Sequence, residues 1–454
     1  MSVVSRRTSH GTEWDVVVVG AGPTGILATE RLRASGLQVL LLEAGRRPRR
    51  GVALTLSNNP QWRFQSVGGR CEWLRAHGVG GGTLVWGGWA NRFSQAVFHE
   101  RNWPYDLATL APAYAEAEQW LGVVEGVLDP RYQRAAAALG LPFCPRRGAK
   151  RGRATWTACA RPVARAAQTE TVALTLDIRD DRARAVEVLG PEGHAQAIKA
   201  RAFVLAASPI ETCRLLLASG VRHPALGRGL VDHPSVSYLL IEPRAEMPQG
   251  ERGPFPGSAF IPRFVNLQAG SKPKYQGGFC IEIVGPWPLH TSGAEMLRRV
   301  GMPVRRGMRH TFITALGELS HHPERYVDLA PRARDAFGRR LPRIHLAWSD
   351  EERLMAADMA DTCVAVAEAI ATPGAELICY HEPFRAPTVF HPAGTCAMGT
   401  SDAFPCDPNG RLRALHNVFI ADASVFPSAG DCHPTLTALA HTFHLAKALQ
   451  RWLR

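Results

Sequence analysis

The feature that most constrains this chain comes early: a β-branched run from Asp15 to Val19 leads straight into GAGPTG. Helical periodicity then runs from Ile26 to Leu37, and a second strand-like stretch, Gln38 to Leu42, ends in Glu43. Strand, glycine turn, helix and strand-end carboxylate stand in register, which is the pattern of a dinucleotide-binding α/β unit. Each residue has a physical task. Gly20 allows the tight turn, Gly22 with Pro23 beside it lets the backbone approach a pyrophosphate, and Gly25 lets helix and strand pack closely. The helix N-terminus offers unpaired N–H groups and the positive end of its dipole to phosphates. Glu43 is placed to accept the ribose hydroxyls of an adenosine.

NAD and FAD both meet these requirements, and a distant segment favours FAD. NVFIADAS, Asn417 to Ser424, reads as a further short strand (Asn417 to Ile420) running to Asp422 and Ala423. A strand end arriving so late in the chain suits the phosphate and ribityl part of the longer cofactor. Asp422 is equally suited to cap a helix N-terminus.

The rest of the chain is read more coarsely. Leu107 to Leu121 has helical spacing, and Thr169 to Ser208 alternates like strands before a helix from Ile210 to Ser219. Between Pro234 and Ala386 the texture becomes that of an antiparallel sheet, interrupted by a helix from Asp350 to Ala371. A final helix is expected from Thr435 to Leu449. The expected organisation is a discontinuous cofactor domain, residues 1–233 plus 387–454, with a substrate domain, residues 234–386, inserted.

Composition narrows the class. A 454-residue chain that is 46% apolar and 20% charged has the balance of a soluble globular protein. No stretch reaches the roughly eighteen apolar residues of a membrane span, and no apolar stretch precedes the first strand, so a cytoplasmic location is expected. The ten cysteines include no C-x-x-C pair, so free thiols and no metal site are expected. The formal charge of +13 is carried almost entirely by arginine, which fits a GC-rich genome or an acidic partner. The basic clusters Arg46 to Arg50, Pro145 to Arg153 and Arg305 to His310 lack interleaved aromatics, which argues against nucleic acid.

Taken together, seven segments resemble the glucose–methanol–choline (GMC) oxidoreductases, in the form of a compact bacterial-type member. They are WDVVVVGAGPTGILATERLRASGLQVLLLEAG, RAHGVGGGTLVWGGWANRF, WPYDLATLAPAYAEAEQWLGV, FVLAASPIETCRLLLASG, GRGLVDHP, HPAGTCAMG and NVFIADASVFPSAGDCHPTLTALAHTFHLA, in the family's order. The resemblance implies a Rossmann-like FAD domain of the p-hydroxybenzoate hydroxylase-like class, with an antiparallel-sheet substrate domain above the flavin. It places Gly80, Gly81, Gly82 and Thr83 in a loop along the cofactor, and Val172 where backbone groups meet the adenine. Some members attach FAD through a loop histidine; the corresponding position here is Val85, so non-covalent FAD is expected.

The resemblance also implies that His391, opening HPAGT, is the general base and that His433, in CHPTL, is its partner. An alcohol gives up hydride readily only as its hydroxyl proton is removed, and an imidazole suits that task near neutral pH. The expected activity is oxidation of an alcohol, a sugar or polyol foremost, to an aldehyde or ketone, with dioxygen or another acceptor re-oxidising the cofactor. A non-redox lyase or a light-driven flavoenzyme on the same scaffold is the alternative. His233 is read as structural, Glu318 as a sheet-edge carboxylate or a second acid, Cys396 and Cys432 as packed thiols, and Trp86 and Trp89 as either core or pocket wall.

Overall fold

The computed structural model describes residues 13–48, 64–67, 76–152, 154–243, 255–265, 275–289, 297–298, 301, 304, 307–319, 321–381 and 390–454. Cys71 and five arginines of the basic clusters, Arg49, Arg50, Arg153, Arg305 and Arg306, lie outside the described residues.

The chain opens with β1 (Trp14–Val19), α1 (Pro23–Ala34) and β2 (Val39–Leu42), and α2 (Leu107–Leu121) follows. Three strands, β3 (Val172–Arg179), β4 (Arg182–Leu189) and β5 (Ala195–Leu205), lead to α3 (Pro209–Ala218). Then come β6 (Ser235–Glu242), β7 (Ser258–Phe264), β8 (Phe279–Pro288) and β9 (Arg309–Gly317), followed by the hairpin of β10 (Tyr326–Arg334) and β11 (Arg340–His345). The described elements end with α4 (Asp350–Ile370), β12 (Glu376–His381), β13 (Val418–Ile420) and α5 (Thr435–Leu453).

The first sheet has the order β2-β1-β5-β4-β3, with β13 also paired to β5. Its centre is parallel: β1 lies beside β2 and β5, and β13 lies beside β5. Val16 to Val19 are all buried, as a central parallel strand with both faces covered requires. β5 is long enough to belong to two arrangements. Its C-terminal half joins the parallel core, while Ala195 to Lys199 pairs antiparallel with β4.

The second sheet, β12-β6-β9-β8-β7, is antiparallel and recruits Cys144–Pro145 as an edge beyond β7. α4 packs on its outer face, so Phe279, Ile281 and Ile283 of β8 join Met355, Met359 and Val366 in a separate core. Alternation turns Cys280, Glu282 and Val284 to the other face, where Cys280 and Val284 pack into the cofactor-side core. The two cores therefore meet across this sheet.

Local signals explain the helix ends. Asp106 caps α2 by accepting the Thr109 N–H at 2.8 Å, and Gly122 closes it at φ +63°. Ser349 and Glu352 form a capping box on α4. α1 starts at Pro23, one turn earlier than its apolar periodicity predicts, because proline at the first helical position has no N–H to lose. No helix among the described residues is long and apolar enough to cross a membrane.

Candidate active site and cofactor cleft

Three loops converge at the C-terminal ends of β1, β2 and β5. The N–H of Gly20 bonds to Leu42 O at 2.9 Å, and Gly80 N bonds to Ala21 O at 2.8 Å, which lays the second glycine loop over the first. A methyl group on Gly25 would sit 1.9 Å from Gly20 O, so the close helix–strand approach admits no side chain there. At Gly22 and Gly82 an added Cβ would meet nothing within 4 Å. Those backbones face open space.

That space is a cleft of about 300 Å³. Gly20, Gly22, Pro23, Glu43, Gly81 and Gly82 line it, and so do Asp422, Ala423, His391 and Pro434. Four expected residues stand behind the wall. Gly25 is the packing contact just described. Gly80 supports the loop at φ +108°. Thr83 is turned inward, donating to Gly80 O and accepting from Ala158 N. Val172 points away by strand alternation, while Thr171 and Ala173 on either side line the cleft. His77, which the sequence argument passed over, lines it as well.

Glu43 is buried, and its two oxygens accept N–H groups from Ala21 and Gly45, each at 2.8 Å. Burial raises its carboxyl above the usual range against the pull of these bonds. Asp422 accepts the Ser424 N–H as the N-cap of a short 3₁₀ turn, and it also lines the cleft. Its other oxygen takes Ser208 N at 2.8 Å and Thr212 Oγ1 at 2.7 Å. The N-terminus of α1 has no side-chain cap, so its first-turn N–H groups are left for a ligand in the cleft. A cleft with an acidic strand end, an uncapped helix N-terminus and bare glycine backbone fits FAD.

The HPAGTCAMG segment is held between two partners. Val231 and Ala393 exchange both backbone bonds, and Gly394, Cys396 and Met398 donate to Ala423, Ser424 and Val425. His391 is thereby fixed beside Asp422, with its N–H given to Asp232 Oδ1 at 3.0 Å. His433 arrives from the loop before α5, which Asp431 anchors by accepting Ser94 N. The His391 and His433 rings meet at 4.5 Å between centroids. His433 does not itself line the cleft; it borders it through His391.

Around the pair the surroundings are uneven. His233 packs edge-on against His391 at 5.4 Å and bonds through Nδ1 to Gly317 O at 3.0 Å, with its pKa lowered to about 4 by burial. That is a structural histidine. Burial and the neighbouring imidazoles of His433 and His233 hold His391 well below the ordinary histidine range. Trp89 stacks on His433, whereas Trp86 turns aside to bond Trp156 O. Glu318 is held by Arg263, Arg101 and Gly278 N, so it serves an ion-pair network. The carboxylate that does reach the pair is Glu282, 2.8 Å from His433 Nδ1. Its sequence signal is a lone acid inside the apolar strand FCIEIV. Cys396 and Cys432 are buried free thiols, and the described residues contain no cluster fit for a metal ion.

The sequence matches the GMC oxidoreductase family over residues 134–235 and 323–442, and an NAD(P)-binding Rossmann-like domain over residues 18–74. It is 28% identical to paromamine 6'-oxidase of Streptomyces fradiae, over 96% of this chain and 91% of that protein. It is 26% identical to pyridoxine 4-oxidase of Microbacterium luteolum, over 95% of this chain and 99% of that protein. Among solved structures, pyridoxine 4-oxidase from Mesorbium loti superposes with a TM-score of 0.70 at 19% identity, covering 97% of this chain and 99% of that one. Formate oxidase of Aspergillus oryzae RIB40 superposes at 0.71 with 16% identity, covering 98% and 99%.

Proposed function

The chain belongs to the GMC oxidoreductase family and is an FAD-dependent oxidoreductase; from that premise we propose that it oxidises the carbinol of a small sugar-like or polyol alcohol to the aldehyde or ketone. The observation that carries this reading is the pair of imidazoles, 4.5 Å apart between centroids, one of which, His391, lines the cleft that Glu43 and the glycine turn also line. Relatives named as oxidases of paromamine, pyridoxine and C-glycosides support an alcohol of that kind.

In this reading Glu43 holds the ribose, Gly20, Gly22, Pro23 and the start of α1 hold the pyrophosphate, and Gly81, Gly82, Asp422 and Ala423 hold the middle of the cofactor. Gly25, Gly80, Thr83 and the strand around Val172 shape those walls. When bound, FAD supplies a two-electron acceptor for the hydride of the substrate's C–H bond. The chain's own contribution is to the hydroxyl. His391 and His433 converge on one small volume, where one ring can take the O–H proton while the other donates a hydrogen bond to the same oxygen. We further infer that residues 234–386 form the substrate-side part, because β8 brings Glu282 to the histidines. We also infer that FAD is held without a covalent bond, because Val85 is a half-exposed valine without a nucleophilic atom.

The deciding experiment is an anaerobic spectral screen of sugars, amino-sugars, polyols, pyridoxine and aryl alcohols. An alcohol substrate is expected to bleach the flavin absorbance, and His391→Ala to keep bound flavin but slow the bleaching about a hundredfold or more. Turnover of a substrate with the flavin remaining oxidised throughout, or only under illumination, would instead identify a lyase or a light-driven enzyme.

A further inference from the structure

A ribose held by the carboxylate at the end of β2 leaves its base to meet whatever is built around Glu43. Thr171, just before β3, donates its N–H to the Glu43 carbonyl oxygen at 3.0 Å, and Thr171, Ala173 and Leu174 line the cleft. α3 is tied to the same strand, since Ser219 Oγ accepts the Leu176 N–H at 2.8 Å. Leu215 and Ala218, one turn apart on α3, line the cleft as well. Small and aliphatic side chains on strand and helix suit a flat, uncharged ring.

Three further charged residues line the cleft: Glu211 and Arg214 of α3, and Arg339, which ends the turn between β10 and β11. Asp335 builds that turn. One of its oxygens accepts the N–H groups of Phe337 at 3.0 Å and Arg339 at 2.9 Å. The other accepts Arg339 Nε at 3.0 Å and Arg214 Nη2 at 2.9 Å. Arg214 Nε also reaches Arg340 O at 2.9 Å, so α3 clamps the hairpin. Arg339 Nη1 lies 3.4 Å from Ala173 O and 3.5 Å from Glu211 Oε2, both longer than a well-formed bond. Two arginines and two acids leave this quartet without net charge. A phosphate would find no surplus cation there, whereas the polar edge of an uncharged base finds a donor and an acceptor.

We propose that Arg339 and Glu211 read the adenine of FAD: the guanidinium donates to a ring nitrogen, and the carboxylate accepts from the 6-amino group. Adenine carries such an acceptor and donor side by side, at N7 and N6. Arg339 Nη1 and Glu211 Oε2, 3.5 Å apart, are their complement. Asp335 and Arg214 are positioning residues that hold the guanidinium in place. The assignment goes beyond the alcohol-oxidation reading and rests only on the cofactor. It gives a hairpin within residues 234–386 a task at the cofactor rather than at the substrate.

The test uses the full-length, FAD-loaded protein and needs no alcohol. The holoenzyme is equilibrated with excess flavin hypoxanthine dinucleotide, in which an oxo group replaces the 6-amino group, and the bound flavins are separated and measured. The unmodified protein should favour FAD by about tenfold or more. In Glu211→Gln the side-chain amide can present either its donor or its acceptor, so the preference should fall toward parity. Arg339→Ala should release FAD roughly 10- to 100-fold faster on dilution, followed by the rise in flavin fluorescence. A merely structural role for Glu211 would weaken both dinucleotides alike and leave their ratio unchanged. No preference in the unmodified protein, an unchanged ratio in Glu211→Gln, or release from Arg339→Ala at the unmodified rate overturns the proposal. A protein that takes up neither dinucleotide would instead remove the cofactor assignment beneath it.

Discussion

Glu43 joins two backbone segments before any ligand arrives, because Ala21 N and Gly45 N both end on its carboxylate. Glu43→Ala would strand two N–H groups, at roughly 1–3 kcal/mol each where they stay dry, and would also remove the proposed ribose contact. The expected result is a lower melting temperature together with loss of flavin on dialysis. Full flavin occupancy after exhaustive dialysis would remove the ribose role. Glu43 and the glycines were legible in the sequence because their task is set by local backbone geometry, which a short motif encodes. Glu282 was not, since an acid in an alternating strand acquires meaning only from the histidine that folds against it. Glu318, read as a sheet-edge carboxylate or a second acid, is bound to Arg263 and Arg101.

Helices with strong end signals could be read almost to the residue. α2 runs from Leu107 to Leu121 as expected, between Asp106 and Gly122. The short pairings of Cys144–Pro145 with β7 and of Gln65–Val67 with β11 carry too few residues to show a period, so only tertiary structure reveals them. α5 carries a testable pH response. His441 is fully buried, bonds Ile420 O at 3.2 Å, and has its pKa lowered by burial to about 4, as does His233. A lowered base pKa means that the unfolded chain binds the proton first, so this stability is whole above about pH 6.5 and is lost as pH falls toward 4. Each histidine contributes a slope of about 1.4 kcal/mol per pH unit in that window. Asp431, pushed up to about 6 by burial and by Glu318, works in the opposite direction as pH falls from about 6 toward 3.8. Urea unfolding at several pH values should show His441→Gln flattening the acid-side slope by one histidine's share. A slope identical to that of the unmodified protein would remove His441 from this account.

For the molecule as a whole, the arginine excess has an internal component that charge counting cannot see. Arg214 with Asp335, Arg325 with Glu352 and Arg131 with Glu242 are buried or nearly buried pairs that tie helices to a strand or to residues flanking one. Net charge was legible in the sequence, but its distribution between surface and interior was not. If FAD is held without a covalent bond, acid precipitation should leave the yellow colour in the supernatant, and added FAD should raise the melting temperature with concentration. Colour retained in the pellet would contradict that expectation.

β13 has a consequence for the order of events in the cell. The strand that completes the parallel core pairs with β5 but is encoded more than two hundred residues after it, and Asp422 and Ala423 follow directly. A ribosome translating from the N-terminus has therefore made more than four hundred residues before this side of the proposed cofactor cleft exists. Emerging β1, α1 and β5 must wait with an unmatched edge, so capture of a cofactor that needs Asp422 and Ala423, as proposed, comes only after β13 is made.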